Sequence, residues 1–196
     1  MKRAFDLVMS GFALIVMLPV LIAVAIIVRV DTPGPILFRQ TRVGRYGQPF
    51  QILKFRTMVD RPTSSGQQIT FHHDPRITRS GTFLRKWKLD ELPQLWNVFR
   101  GDMSIVGPRP EVPKYVALYS EEDRALVLSV RPGITDPASI KYRSESEMLS
   151  GAEDAEKMYR EVILPDKVLL AGNYARNVSL RRDIVIIAQT LLKVIR

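Results

Sequence analysis

The chain reads as an α+β protein, with an N-terminal re-entrant membrane helix hairpin ahead of a small helical domain that carries a β-hairpin and interfacial amphipathic helices. Three observations predict this. Residues 7–28 carry no charge, yet Pro19 interrupts them and basic residues flank both ends. Two β-like runs, 36–40 and 50–55, enclose Gly44 and Gly47. Most of the remainder is patterned for helices. Residues 1–30 form the expected anchor, and 31–196 are long enough for one cytoplasmic domain.

A proline inside a helix removes a backbone hydrogen bond and collides with the carbonyl four residues earlier, at a cost of about 3 kcal/mol. Pro19 therefore bends the anchor near Ile15. Lys2 and Arg3 precede the apolar run, and Arg29, Arg39, Arg42 and Arg45 follow it. Basic flanks mark the cytoplasmic side of a membrane segment, so a run basic at both ends is expected to return to the face it entered. The backbone groups freed at the bend need protein partners, with Ser10 the nearby candidate. A kinked spanning helix is the alternative. A cleaved signal peptide is disfavoured, because no small-residue cleavage site follows the run.

Residues 31–35 are a turn by composition, and the two strands after them meet at a tip carrying Arg45 and Tyr46. Residues 60–76 are polar and proline-punctuated, which predicts a loop. From Thr82 the pattern is helical, with Phe83, Leu84 and Trp87 on one face. Pro93 is tolerated only in a first helical turn, so a helix is expected from Asp90, its cap, to Phe99, with Gly101 ending it. Residues 101–113 read as irregular, and 121–130 and 153–170 as helical. Residues 184–195, behind Arg181 and Arg182, suit either a bilayer surface or a buried core helix. No repeat or low-complexity tract is present.

Lys and Arg number 29 against 20 Asp and Glu, a net charge of +9 that calls for an anionic partner. The anchor favours an acidic leaflet or a phosphorylated substrate, since each basic residue near an anionic surface adds about 1 kcal/mol of attraction. No nucleic-acid partner is expected, because stacking on bases needs aromatics interleaved with cations, and Phe55 alternates away from Lys54 and Arg56. The absence of cysteine excludes disulfides and thiolate metal sites.

Asp90-Glu91 is the leading candidate site. Helix dipoles hold an N-terminal carboxylate ionised, the form needed for nucleophilic attack or metal binding, and adjacent carboxylates suit Mg²⁺. Ordinary capping is the competing reading. Arg85, Lys86 and Lys88 precede the pair, and Arg100 and Arg109 follow. Arg109 is fixed between Pro108 and Pro110, so it loses little entropy on holding a phosphate. Lys54 and Arg56 share one strand face that suits a phosphate or water, and Arg131 leads another rigid turn. His72-His73-Asp74 is a weak metal candidate, since adjacent residues rarely share one ion. Trp87 and Trp96 suit the core or a membrane interface.

The proline-bent anchor, Lys54-Phe55-Arg56-Thr57-Met58, residues 89–95, Gly101-Asp102-Met103-Ser104, residues 106–110 and Arg131-Pro132-Gly133-Ile134-Thr135 together resemble the monotopic phosphoglycosyl transferases of the bacterial sugar transferase family. The match is expected to represent the minimal catalytic unit, without the extra membrane helices of larger relatives. The resemblance implies transfer of a sugar 1-phosphate from a UDP-sugar to polyprenyl phosphate, with UMP as the other product and with Mg²⁺ as cofactor, at the cytoplasmic face of the inner membrane. It also implies roles. Asp90 would be the nucleophile that forms a phosphosugar-aspartyl intermediate, Glu91 its metal-site partner or base, Arg109 a phosphate holder, and Lys54, Arg85 and Arg131 anion contacts. Leu18 stands before Pro19 where family members often have serine, and residues 136–140 depart from the family's usual stretch. The rival reading is a non-catalytic membrane-anchored protein whose basic face binds anionic lipid or a partner.

Overall fold

The computed structural model describes residues 1–59 and 74–195, so most of the loop expected at 60–76, and His72-His73, lie outside the described residues. Helix α1 (Lys2–Val16) and helix α2 (Leu18–Asp31) meet at a 62° bend. Pro19 sits in the first turn of α2, where its missing N–H costs nothing, and the break falls just ahead of it at Met17. Met17 N still donates to Ala13 O, and Leu21 N donates to Met17 O, both at 2.8 Å. Ser10 is not a partner for the bend: it is buried and donates to Leu7 O within its own helix. No single helix among the described residues is long and apolar enough to cross a membrane, although the bent pair is when taken together.

Both ends of the pair are tied to the same globular body. At the start of α1, Arg3 donates to the carbonyls of Val98 and Phe99, Lys2 pairs with Asp183 at 2.6 Å, and Asp6 accepts from Ser104 Oγ and Ile105 N. At the end of α2, Asp31 accepts from Ser80 N and Oγ. Between these ends a long apolar surface stays uncovered, including Val8, Phe12, Ile15, Ile22 and Ile26.

The expected hairpin is present as β1 (Leu37–Val43) against β2 (Pro49–Phe55), antiparallel from Leu37 opposite Phe55 to Val43 opposite Pro49. It runs three residues further along β1 than the apolar pattern indicates, because Arg42 and Thr41 still complete the ladder. Tyr46 takes a left-handed conformation at the tip. Helix α3 (Arg79–Lys86) is capped by Thr78 Oγ1, which accepts from Gly81 N. Its Leu84 packs with Val24, Val28 and Phe55 and joins the bent helix pair, the hairpin and the rest of the body in one core cluster. Phe83 and Trp87 point the other way and are exposed, so they do not share a face with Leu84.

The helix expected from Asp90 splits. Lys88 adopts φ 56°, a 3-10 turn covers Leu89–Glu91, and α4 (Gln94–Arg100) begins after Pro93. Asp90 is therefore inside a tight turn and is not a cap. Gly101 ends α4 with φ 100°, as its position predicts. The stretch expected to be irregular contains β3 (Ser104–Val106), which pairs in parallel with β4 (Gly133–Thr135). Gly107 and Gly133 face each other so closely that a Cβ on Gly133 would lie 2.1 Å from Gly107 N. The glycines in the two motifs thus let two backbones touch, which a side chain would prevent.

Short helices α5 (Pro113–Val116), α6 (Glu121–Val127), α7 (Pro137–Lys141), α8 (Glu145–Ser150) and α9 (Ala155–Met158) complete the body with α10 (Leu164–Arg176), a π-type turn at Tyr159–Ile163 joining α9 to α10. They bury Val112, Tyr115, Leu149, Tyr159, Ile163 and Leu164 in the largest core cluster. Helix α11 (Leu180–Ile195) contains Arg181 and Arg182 instead of following them. Asp183 and Ile186 are buried, as a core helix requires, while Ile184, Val185, Leu191 and Leu192 form an exposed apolar face. Trp96 and Phe99, stacked at 5.7 Å, add to the uncovered apolar surface.

Candidate active site

Strand β2 and the 3-10 turn are brought together by Asn97 on α4. Its Oδ1 accepts from Leu53 N at 3.0 Å and its Nδ2 donates to Gln51 O at 2.8 Å, so a side-chain amide continues the ladder of β2. That fixes Lys54 opposite Glu91, and Lys54 Nζ donates to Glu91 Oε1 at 2.8 Å. From the other side Arg109 Nη2 reaches the same oxygen at 2.6 Å, while Nη1 lies 3.4 Å from Oε2. Arg109 is placed by the touching glycines behind it and by its own N–H, which donates to Asp136 Oδ2 at 3.4 Å.

The two carboxylates of the dyad have opposite surroundings. Burial alone would raise Glu91, but Arg109 and then Lys54 overcome it and hold the group well below the ordinary carboxylate range. Glu91 in return raises Arg109 further above its usual value. Asp90 is pushed up, first by burial and then by the charge of Glu91, against the opposing pull of Lys54, Lys88 and Arg85. Its Oδ1 is buried with no hydrogen-bond partner among the described residues. A buried oxygen without a donor costs about 1–3 kcal/mol unless something else supplies one.

Arg85 lies within the electrostatic reach of Asp90, with its Nε donating to Thr57 Oγ1 at 2.8 Å. Asp90, Glu91, Lys54, Arg85 and Arg109 are therefore gathered in one place. Arg56 is not. It lies one residue beyond the end of β2, where the chain leaves the sheet, and its guanidinium donates to Pro33 O, Thr32 O, Thr32 Oγ1 and Val28 O. It therefore fastens the end of α2 in place, and the donor it leaves unpaired, Nε, is buried away from the dyad's cations. Arg131 is also engaged elsewhere, donating from Nε to Gly101 O, and does not line the cleft beside Arg109.

That cleft, about 280 Å³, is the part of the site that sequence reasoning missed. Arg109 and Lys88 line it next to the dyad, together with Arg42, Ser139, Tyr142 and Lys167. Asp90 is not among its lining residues and keeps 7% of its surface exposed. The only sequence signal for Lys88 was its place in a cluster of cations before the dyad. Ser139, Tyr142 and Lys167 are separated in sequence and carry no local pattern.

As a magnesium site the residues fit in part. No three His, Asp or Glu side chains converge among the described residues, and Glu91 is already neutralised by two cations. Asp90 Oδ1 has no protein partner among the described residues but is buried, with 7% of the residue's surface exposed, and Mg²⁺ is commonly held by one or two carboxylates plus substrate phosphates. Of the two expected metal ligands, only Asp90 has a vacant oxygen. Asp74, the described member of the histidine motif, is paired with Arg76 at 2.6 Å.

A family model described as bacterial sugar transferase matches residues 1–196. Among curated relatives, a UDP-glucose:undecaprenyl-phosphate glucose-1-phosphate transferase of Escherichia coli K12 is 39% identical over 98% of this chain and 40% of its own length. One of the same description from Caulobacter vibrioides is 38% identical over 97% of this chain and 68% of its own length. A UDP-N-acetylgalactosamine-undecaprenyl-phosphate N-acetylgalactosaminephosphotransferase of Aeromonas hydrophila is 33% identical over 97% of this chain and 42% of its own length. The chain thus spans less than half the length of two of these three relatives.

Proposed function

The chain belongs to the bacterial sugar transferase family, and from that premise we propose that it moves a sugar 1-phosphate from a UDP-sugar to polyprenyl phosphate, releasing UMP. The observation that carries this reading is the pair of unequal carboxylates: Asp90 with a bare buried oxygen, beside a Glu91 clamped by Lys54 and Arg109. Asp90 Oδ1 has no lone pair engaged by a protein donor among the described residues, and the residue keeps 7% of its surface exposed. The relatives' printed activities supply the substrates.

In the reaction we propose, an Asp90 oxygen attacks the sugar-bearing phosphorus, the bond to the UMP phosphate oxygen breaks, and UMP leaves with the electron pair. An oxygen of polyprenyl phosphate then attacks the same phosphorus and expels Asp90, which regains its carboxylate. Negative charge grows on transferring and leaving oxygens, so the energetic work is electrostatic. Lys54, Arg85, Lys88 and Arg109 surround the dyad and meet that charge. Glu91 holds Lys54 and Arg109 in position, which makes it a positioning residue. Magnesium, when bound, would be held at Asp90 and would supply further charge neutralisation at the diphosphate.

One substrate is soluble and the other stays in the leaflet, so the site has to lie at their boundary. We read the bent anchor as re-entrant, because Lys2, Arg3 and Asp6 at one end and Asp31 at the other are bound to one globular body. A segment whose two ends meet the same small domain does not cross. The exposed Phe83, Trp87, Trp96 and Phe99, with the apolar face of α11, suit contact with the same leaflet. The protein then sits on the cytoplasmic face of the inner membrane.

Two experiments test this. UMP release is measured with a panel of UDP-sugars, polyprenyl phosphate and Mg²⁺; Asp90→Asn abolishes it along with any phosphosugar adduct seen by mass spectrometry. Unchanged activity in that variant returns the non-catalytic lipid-binding reading. For topology, the chain has no cysteine, so Ala4→Cys and Pro35→Cys each carry one label site. Both react with a membrane-impermeant maleimide from the cytoplasmic side only, and labelling from opposite sides refutes re-entry.

A further inference from the structure

Arg109 stands three residues beyond the end of β3, and every residue from Ser104 to Arg109 is hydrogen-bonded to another part of the chain. Part of this bonding runs to the motif around β4: Gly107 N donates to Thr135 O at 3.0 Å, Gly133 N donates to Pro108 O at 2.9 Å, and Arg109 N donates to Asp136 Oδ2 at 3.4 Å. The rest comes from helices that take no part in the proposed chemistry. Asp6 on α1 accepts from Ser104 Oγ at 2.9 Å and from Ile105 N at 3.1 Å. Tyr174 on α10 places its Oη 3.1 Å from Val106 O and 2.6 Å from Oδ1 of Asp183, in the first turn of α11, and Lys2 on α1 pairs with the other Asp183 oxygen.

Burial makes these polar groups expensive to keep. Asp6 is 2% exposed, and Ser104, Tyr174 and Asp183 are fully buried. Asp6 forms no ion pair among the described residues, so its hydrogen bonds alone offset its desolvation, and apolar side chains would fill the same space without that penalty. Apolar contact is non-directional, however, whereas one carboxylate bonded to two consecutive residues fixes where β3 lies along its own axis. The Tyr174 hydroxyl fixes the other end of the strand in the same way. Helices α1 and α11 also carry uncovered apolar faces, with Val8 and Phe12 on one and Ile184 and Leu191 on the other. The strand that aims Arg109 is thus tied directly to the helices proposed to meet the leaflet.

We infer that Asp6, and Asp183 acting with Tyr174, are positioning residues for the transfer: they hold β3 so that Arg109 meets Glu91 and the charge that grows on the transferring phosphate. The inference rests on the proposed reaction, in which Arg109 is one of the cations that meet that charge. None of the three side chains reaches the dyad, so each acts only through the strand. A displacement of about 1 Å at a group that stabilises a transition state costs up to about a hundredfold in rate, so a strand released at either end is felt at Arg109.

The test uses the full chain in nanodiscs with polyprenyl phosphate, Mg²⁺ and whichever of UDP-glucose or UDP-N-acetylgalactosamine releases UMP faster. Asp6→Ala, Asp6→Asn and Tyr174→Phe are each made in the wild-type and the Arg109→Ala backgrounds, and kcat for UMP release and Tm are measured, with enzyme concentration raised until residual rates are readable. In the wild-type background Asp6→Ala lowers kcat about ten- to hundredfold, and Tyr174→Phe, which removes only a hydroxyl, about three- to tenfold. Asp6→Asn, whose carbonyl still accepts from Ile105 N and whose amide donates to Ser104 Oγ, stays within about threefold of wild type. In the Arg109→Ala background the same substitutions change kcat by less than about twofold while their Tm shifts persist, because an absent arginine cannot be misplaced. Equal fold losses in the two backgrounds assign these residues to stability alone and overturn the inference. A loss in Asp6→Asn as deep as in Asp6→Ala overturns it too, and so does an unchanged kcat in Tyr174→Phe, the variant that carries the test if Asp6→Ala does not fold. Absence of UMP release by the wild-type chain overturns the reaction itself, and the positioning role with it.

Discussion

Replacing Glu91 with glutamine removes one charge from a site where two cations depend on it. At an effective dielectric near 20, a charge pair at the 2.6–2.8 Å seen for Arg109 and Lys54 has a gross attraction of about 6 kcal/mol. Most of that offsets the desolvation of three ions, so the cost of breaking the cluster is nearer 3–5 kcal/mol. The Arg109 side chain is 34% exposed, where solvent screens its share, so the low end of about 3 kcal/mol applies. For a chain of this size each kcal/mol moves Tm by about 2–4 °C, so Glu91→Gln lowers Tm by about 6–12 °C. The assay is thermal unfolding in nanodiscs followed by tryptophan fluorescence. The sign of the pH dependence is a second check. Glu91 has a depressed value in the fold, so its stabilisation is complete above the ordinary carboxylate range and is lost as pH falls through the folded value. The gap between wild type and variant is therefore flat from about pH 8 to 5 and closes below that. A Tm within about 2 °C of wild type at neutral pH, or a gap that persists at strongly acidic pH, refutes the clamp.

Asp90→Asn behaves in the opposite sense. A raised value means the fold disfavours ionised Asp90, so the variant loses UMP release while its Tm at neutral pH rises above that of the wild type. In the wild type, UMP release falls on acidification as Asp90 protonates, at a pH shifted upward from that of an unperturbed aspartate, which a pH–rate profile reads directly. Arg56→Ala strips its four carbonyl and hydroxyl acceptors and lowers stability to denaturant by about 2–4 kcal/mol with KM unchanged; a higher KM at full stability restores it as a phosphate contact. Gly133→Ala places a methyl against Gly107, costs about 2–3 kcal/mol and displaces Arg109, so kcat for UMP release falls with Tm; normal values in both refute the close approach.

Local chemistry was legible in the chain wherever it depended on neighbours in sequence. Pro19 indicated a bend in the N-terminal helical run, Gly44 and Gly47 a hairpin, and Gly101 a helix end, because each acts through its own backbone. The dyad and most of its cations were also visible as residue types. Which cations meet the dyad was not. Lys54 and Arg56 alternate as a pair on paper, yet the strand stops at Phe55, so one reaches Glu91 and the other fastens α2. Only the packing of α4 on β2, through Asn97, and the contact of Gly107 with Gly133 decided that Lys54 and Arg109 converge on a single oxygen. The same packing left Asp90 bare and shaped a cleft from Lys88, Ser139, Tyr142 and Lys167. Burial and charge pairing are long-range sums over residues far apart in the chain, so they exist only once the backbone has closed.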